Sequence, residues 1–355
     1  MLILERYIWK TVALSILGTW IALTLLAAFF AFLGELGDIN PNTGYGTAQA
    51  LIYVAYGIPA TLYEFFPTAT LIGTLLGLGS LSTTNELTAM RAAGLSIGQI
   101  VGATLKLGLV LVIIAIALGE WLTPKANTAA QNFKSAQLKQ NISINAKGVW
   151  VKQGTNMVRI NQVWSTTELE GITRYSIDLI NGKLHHIETI GVAKYQNNQW
   201  QFNNINTQTL QSTTVEYTHT NQRQVTDFIE PDTLAIAAMR PQQLAATELA
   251  DFIKHQQENE LNSAPYELAY WTHFTSPLAT LVMILLAAPL VFGSQRSAGT
   301  GQRVFIGILI GLGFYLLNRI AGSSSLVYGL PPLLAATTPV IVFLLLGLLL
   351  LRRIR

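Results

Sequence analysis

Cysteine is absent from this chain of 355 residues, which excludes disulfides, thiolate nucleophiles and cysteine-ligated metals. Charge is scarce as well. Asp, Glu, Lys and Arg make up 12% of the residues, against roughly 25% in an ordinary soluble domain, which argues against a lysozyme-like or Rossmann-like soluble domain. A net charge of +3, with no block of like charge, gives no surface for nucleic acid. No G-x-x-x-x-G-K-[ST] segment occurs, so the chain binds no ATP through a P-loop; its Gly182-Lys183 pair falls in a turn. What is abundant is apolar sequence. Half of the chain is hydrophobic, and a mean hydropathy of +0.39 is reached despite a visibly polar middle.

A hydrocarbon core of about 30 Å needs roughly 20 helical residues. Tyr7 to Leu36 is the first candidate span, too long for a signal-peptide core and read as a retained anchor. Leu51 to Leu81 exceeds one straight span and holds Pro59 and Pro67, which predicts an interfacial piece, a kink and a span. Ile97 to Leu122 is the third. Hydrophobicity returns in Tyr266 to Phe292, Val304 to Ala321 and Leu333 to Leu351. The expected domains are therefore three helices in 1–122, a polar domain in 123–265 and three helices in 266–355.

Orientation follows from Lys and Arg, which cytoplasmic loops retain. Arg6 and Lys10 precede the first span, Arg91 lies between the second and third, Arg296 and Arg303 between the fourth and fifth, and Arg352, Arg353 and Arg355 end the chain. Segments 37–50 and 322–332 have none. Both termini are expected in the cytoplasm, with the polar domain on the other side.

That domain reads as β. Val149 to Val163 alternates in character, and Asn181-Gly182 and Asn197-Asn198 punctuate further alternating runs over Ile172 to Ile180, Leu184 to Tyr195 and Gln199 to Ile205. A sandwich, a jellyroll or a curled open sheet fits. Helices flank it: Thr123 to Gln140 continues the third span, and Pro241 to Glu260 puts Leu244, Leu249, Phe252 and Ile253 on one face.

Few residues suggest chemistry. His185 and His186 point to opposite faces of a strand, which does not make a metal site. Glu64, Glu120 and Glu267 lie near span ends, where carboxylates reach water. Gly73-x-x-x-Gly77, Gly98-x-x-x-Gly102 and Gly307-x-x-x-Gly311 are helix-packing devices. Three charged features rise above this background. Residues 83–94 read as a short cytoplasmic helix in which Thr83 and Glu86 have capping-box spacing and Gly94 is a stop. Lys106 can snorkel to the cytoplasmic interface. Arg319, near the outer end of the fifth span, calls for an anion, either a carboxylate such as Glu35 or Glu64 or a phosphorylated headgroup.

The run Phe65-Phe-Pro-Thr-Ala-Thr-Leu-Ile-Gly-Thr-Leu-Leu-Gly-Leu-Gly-Ser-Leu81, followed by Asn85-Glu-Leu and Met90-Arg-Ala-Ala-Gly94, resembles the second span and coupling helix of the LptF/LptG permease family. Gly119-Glu-Trp121 with Pro124, Gly148-Val-Trp150 and Leu326-Val-Tyr-Gly-Leu-Pro-Pro332 resemble its LptG branch, and the likeness runs nearly end to end. One stretch departs: where that branch often carries lysines at the outer end of the first span, this chain has Gly34-Glu-Leu-Gly-Asp38.

The resemblance implies a helical membrane fold of six transmembrane helices with an inserted extracytoplasmic, jellyroll-like all-β domain. It implies a permease subunit of an ABC transporter that extracts lipopolysaccharide from a Gram-negative inner membrane and passes it to a periplasmic jellyroll bridge. The partners it implies are an LptF-like permease, two LptB-like ATPase subunits that hold ATP and Mg, and an LptC-like bitopic protein; this chain itself would bind no cofactor. Glu86, Leu87, Met90 and Arg91 would then couple to the ATPase. Phe29, Phe30, Phe66, Tyr315, Glu35 and Arg319 would line the lipid cavity or its gate. Two other classes compete on the residues alone, an ion-coupled secondary transporter and an intramembrane lipid-modifying enzyme.

Overall fold

A computed structural model describes residues 2–39, 44–138, 149–153, 156–165, 167–178, 183–210, 214–226, 228–229, 231, 241–259, 261–293 and 299–353. Gly148, the Asn181-Gly182 turn, Arg296 and Arg355, which carry some of the expectations above, lie outside these residues. The chain divides into two compact units, one of residues 1–38, 50–127 and 264–355, the other of 39–49 and 128–263.

The first unit is helical. Among the described residues six helices are long and apolar enough to cross a membrane. They are α1 (Leu2–Glu35), α2 (Thr47–Thr83), α4 (Ile97–Ala117), α7 (Ala264–Phe292), α8 (Thr300–Tyr328) and α9 (Pro332–Arg352), with the short α3 (Glu86–Ala92) between α2 and α4. The second span is one continuous helix, α2, of 37 residues with Pro59 and Pro67 inside it. Side-chain donors from other helices bond carbonyls beside these prolines, Thr123 Oγ1 to Pro59 O at 3.3 Å and Trp20 Nε1 to Leu62 O at 2.8 Å. The carbonyls that the prolines themselves free are those of Ala55 and Tyr63, so these two bonds tie α2 to its neighbours and do not replace the hydrogen bonds lost at proline.

Glycines set the packing of α2. A Cβ at Gly77 would stand 2.8 Å from Val12 Cα, and one at Gly73 would meet the backbone of Ile16, so α1 lies directly on α2. Gly307 receives Ile72 and Leu75, and Gly311 receives Thr68, so α8 lies on α2 as well. Two of the three predicted glycine pairs thus pack helices. The third does not do so within this chain: Gly98 and Gly102 face no side chain of another helix. The core of the unit joins Val12, Leu75, Leu78, Leu107, Met283, Leu286, Phe314 and Phe343.

After Ala117 the helix widens into a π turn over Leu118–Leu122 and continues as α5 (Thr123–Leu138). Pro124 explains the widening. In a regular α-helix its ring would collide with the carbonyl of Glu120, and the extra residue in the turn gives it room.

The second unit carries one antiparallel sheet in simple meander order: β1 (Val149–Gln153), β2 (Asn156–Ser165), β3 (Glu168–Asp178), β4 (Lys183–Gln196), β5 (Gln199–Leu210) and β6 (Val215–Val225). Among the described residues this is the curled open sheet of the three expected forms. The Asn197-Asn198 turn has φ of 50° and 65°, as a two-residue hairpin requires. A line of residues crosses five strands, Asn161, Gly171, Gly191, Asn204 and Asn221, where the ladder lapses between paired neighbours. Gly171 (φ 66°) and Asn204 (φ 58°) are left-handed there. The alternation of faces slips along the line. Ile160 and Val163, Ile172 and Leu169, Ile190 and Ala193, and Ile205 and Phe202 are all buried, each pair three apart instead of two or four. The sheet therefore bends on this line and keeps its apolar side chains on one face to either side of it.

Phe228 and Ile229 cover that face. Phe228 meets Trp200 and Phe202 edge-on, and Trp200 Nε1 donates to Ile229 O at 2.8 Å. Beyond the apolar rows Glu188, 2% exposed, pairs with Arg223 Nη2 at 2.5 Å and Arg174 Nε at 3.4 Å. His186, two residues along β4, has its pKa lowered by burial and next by the Arg174 charge. The predicted flanking helix forms as a 3₁₀ turn (Pro241–Gln243) and α6 (Ala246–Glu258), with Leu244, Leu249 and Phe252 buried as expected.

Candidate functional site

The segment between α2 and α4 is built by backbone chemistry more than by the expected cap. Thr83 ends α2 and bonds back to Ser80 O, so it caps nothing in α3. The N-cap of α3 is Asn85 in a left-handed conformation, φ 60°. Glu86 Oε1 instead accepts from Thr84 Oγ1 at 2.8 Å. The expected capping box is therefore not formed, because the chain leaves α2 by a single left-handed turn too short to place Thr83 ahead of α3. Gly94 does stop the helix, at φ 95°, with Leu95 N–H bonding Met90 O and Gly94 N–H bonding Arg91 O. That pair of bonds is the Schellman arrangement. A true capping box opens α4, where Ser96 Oγ accepts from Gln99 N–H and Gln99 Oε1 accepts from Ser96 N–H. The Ser-x-x-Gln spacing before an apolar run was the available signal for it.

The four residues expected to couple divide by face. Leu87 and Met90 are buried in the same core cluster as Leu78 and Leu81, so they anchor α3 to the bundle. Glu86 is half-buried and Arg91 exposed, and these two with Thr88 are what α3 presents outward. Lys106 bonds Glu5 through Nζ–Oε1 at 2.9 Å, and Trp9 Nε1 donates to Ala103 O at 2.7 Å, which ties the start of α1 to α4.

The expected cavity residues also divide. Phe29 and Phe30 are 56% and 62% exposed and touch each other edge-to-face at 5.8 Å. They lie on the C-terminal half of α1, whose Ile21, Leu25, Leu26 and Leu33 are exposed with them. Tyr315 and Arg319 are exposed on α8, and Arg319 Nη1 donates to Tyr315 Oη at 3.2 Å. Among the described residues no ion pair joins Arg319 to Glu35 or Glu64. Phe66 corrects the expectation: it is buried, with Trp20 edge-on at 4.9 Å, and serves the α1–α2 contact. No hydrogen bond or ring contact brings Phe29 or Phe30 to Tyr315 or Arg319, so the structure presents two separate uncovered faces, one on α1 and one on α8, flanking α2.

Arg303 was read as a loop charge, yet it is buried, and it stands on the stripe it shares with Gly307 and Gly311 at intervals of four. That spacing was its signal.

Six helices long and apolar enough to cross a membrane, an inserted β domain, a short helix at one end of the bundle and uncovered apolar faces on two helices define a polytopic membrane protein. The comparison with known proteins is narrower. Residues 6–353 match the family described as lipopolysaccharide export system permease LptF/LptG. The chain is 32% identical over 364 residues to the lipopolysaccharide export system permease protein LptG of Escherichia coli (strain K12), covering 99% of this chain and 98% of that protein. It is likewise 32% identical over 346 residues to LptG of Haemophilus influenzae, covering 96% of each. The chain belongs to the LptF/LptG permease family and is of the LptG type.

Proposed function

We propose that this chain is the LptG-type permease subunit of a lipopolysaccharide exporter in a Gram-negative inner membrane, working with an LptF-like permease, two LptB-like ATPase subunits and an LptC-like bitopic protein. The observation that carries this reading is the extent of the similarity, which runs through both helical halves and the inserted β domain. ATP and Mg belong to the ATPase subunits. Both termini and α3 face the cytoplasm and the β domain faces the periplasm, on the distribution of Lys and Arg among the short loops. Glu86 and Arg91 meet the ATPase, with Leu87 and Met90 fixing α3 behind them. Phe29, Phe30 and Tyr315 face acyl chains, and Glu35 and Arg319 lie at the rim where phosphates sit.

Co-expression with the three partner proteins tests the assembly and the transport together. The expected result is ATPase retained on the detergent-solubilised permease and lipopolysaccharide released from proteoliposomes only with ATP. Lipid release by the lone chain without an ATPase would overturn it. Cysteines placed at Asn197 and Ser324 should react with an impermeant thiol reagent from the periplasm, and one at Thr84 should not; the opposite pattern would reverse the orientation.

A further inference from the structure

We propose that Arg303 is a positioning residue for transport: it pins the end of α2, and with it α3, to the beginning of α8, so that movement of α3 reaches the lipid-facing part of α8. The inference rests on the reading of α3 as the ATPase-docking helix.

Arg303 is the fourth residue of α8, close to a helix end from which a long side chain could reach water, yet it is 3% exposed. Its side chain lies across Gly79. A Cβ at that position would stand 2.5 Å from Nη1, 2.8 Å from Cδ and 2.9 Å from Cζ, so the guanidinium fits only because residue 79 has no side chain. Electrostatics favours the place on α2 and not on α8. A cation in the first turn of α8 opposes that helix's own dipole, whereas the last turn of α2, which begins one residue after Gly79, is the negative end of its helix dipole and contains no basic residue. Arg303 supplies from a neighbouring helix the cation that the end of α2 lacks.

From this point the two helices stay engaged along the Gly307 and Gly311 contacts with Leu75, Ile72 and Thr68. At the other side α3 is held to the same cluster through Leu87 and Met90. The end of α2, α3 and the first turns of α8 therefore form one packed block. Tyr315 and Arg319 lie about 18 and 24 Å further along α8, at 1.5 Å per residue. A displacement of α3 is transmitted along α8 only if the block does not slip, and the contact that resists slipping is a planar cation seated on a glycine.

The test uses the full complex with its ATPase, reconstituted in proteoliposomes. Arg303→Ala complexes that carry the parental amount of ATPase should still hydrolyse ATP but release about fivefold less lipopolysaccharide, or lower still, per ATP, the scale of an ordinary coupling free energy between sites. Arg303→Lys should recover part of this ratio, because an ammonium keeps the charge without the flat fork. Gly79→Ala should lower the thermal stability of the complex, and adding Arg303→Ala to the same chain should restore stability while coupling stays low. An unchanged lipid-to-ATP ratio in Arg303→Ala would overturn the proposal, as would a stability defect of Gly79→Ala that Arg303→Ala does not relieve. A parental complex that hydrolyses ATP without releasing lipid would instead overturn the transport reading, and the paired stability measurement would still decide whether the Arg303–Gly79 contact exists.

Discussion

The ring of Tyr63 occupies the space that a side chain at Gly119 would need: a Cβ there would stand 2.7 Å from Cε2 and 2.9 Å from Cζ. Gly119 sits in the π turn, so the widened turn and the glycine together make the seat for an aromatic ring from α2. Thr123 holds the same junction from one residue beyond the turn by its bond to Pro59 O. Gly119→Ala should therefore cost about 1–3 kcal/mol of stability, as overpacking of a filled core does. Thermal unfolding of the solubilised complex measures it, and Tyr63→Leu in the same chain should recover most of the loss. A Gly119→Ala chain as stable as the parent would show that the turn can move away from the ring.

The two faces of α3 separate stability from coupling. Leu87→Ala removes a buried side chain and should destabilise the bundle by about 2–5 kcal/mol. Glu86→Lys changes a group that accepts from Thr84 and from the exposed Tyr7 of α1, neither of them in the buried core, so the chain should fold and lose ATPase association or coupling. Arg91→Glu should act in the same way as Glu86→Lys. Co-purification of the ATPase at equal permease yield is the measurement. Full export by Glu86→Lys would leave Glu86 as no more than the acceptor for Thr84 and Tyr7.

Much of this architecture is legible in the sequence because bilayers impose length. Each span appears where an apolar window of about 20 residues stands, and the Asn197-Asn198 turn is legible because few residues take positive φ. What escaped depends on contacts between distant segments. The bonds that Trp20 and Thr123 make to α2 near its prolines come from distant segments, which no local rule anticipates. The bend of the sheet is a line of five residues on five strands, each unremarkable in its own strand. Phe66 and Arg303 were assigned from type, an aromatic to lipid and an arginine to a loop, whereas their surroundings, Trp20 and Gly79, lie on other parts of the chain.

Within the β domain, His186 predicts an acid-sensitive strand. Burial and the Arg174 charge lower the His186 pKa in the folded state, with Arg223 and His185 adding to this and Glu188 opposing it. The unfolded chain then binds the proton more readily, so the contribution to stability is present above the ordinary histidine pKa of about 6.5 and is lost as pH falls below it. Hydrogen exchange in β4, compared between the parent and His186→Gln at each pH, should show protection falling below about pH 6.5 in the parent and less so in the variant. Identical curves would remove His186 from the acid response. Glu188→Ala should be damaging at every pH, since it leaves Arg174 facing an apolar interior without its carboxylate; breaking a buried pair costs about 3–5 kcal/mol, and the partial exposure of Arg223 puts this case at the lower end.

Arg319 gives the most direct test of how this chain meets a phosphorylated lipid. The outer end of α1 has Glu35 and Asp38 where lysines would attract phosphate, which leaves the cation on α8 to do so. The structure favours this over a packing role. Arg319 is exposed, no ion pair joins it to Glu35 or Glu64 among the described residues, and its bond is to Tyr315 one turn away, which steadies the guanidinium without neutralising it. Lys106, by contrast, is already paired with Glu5. Arg319→Ala should therefore lower photo-crosslinking of lipopolysaccharide to α8 by more than Lys106→Ala does. Arg319→Lys should recover only part, because the fork suits phosphate better than a point charge. Tyr315→Phe should have a smaller effect than Arg319→Ala, since it removes the steadying bond and leaves the charge. If Arg319→Ala instead reduced the yield of folded complex and left crosslinking per complex unchanged, the residue would belong to helix packing and the phosphate would have to be met by a partner subunit.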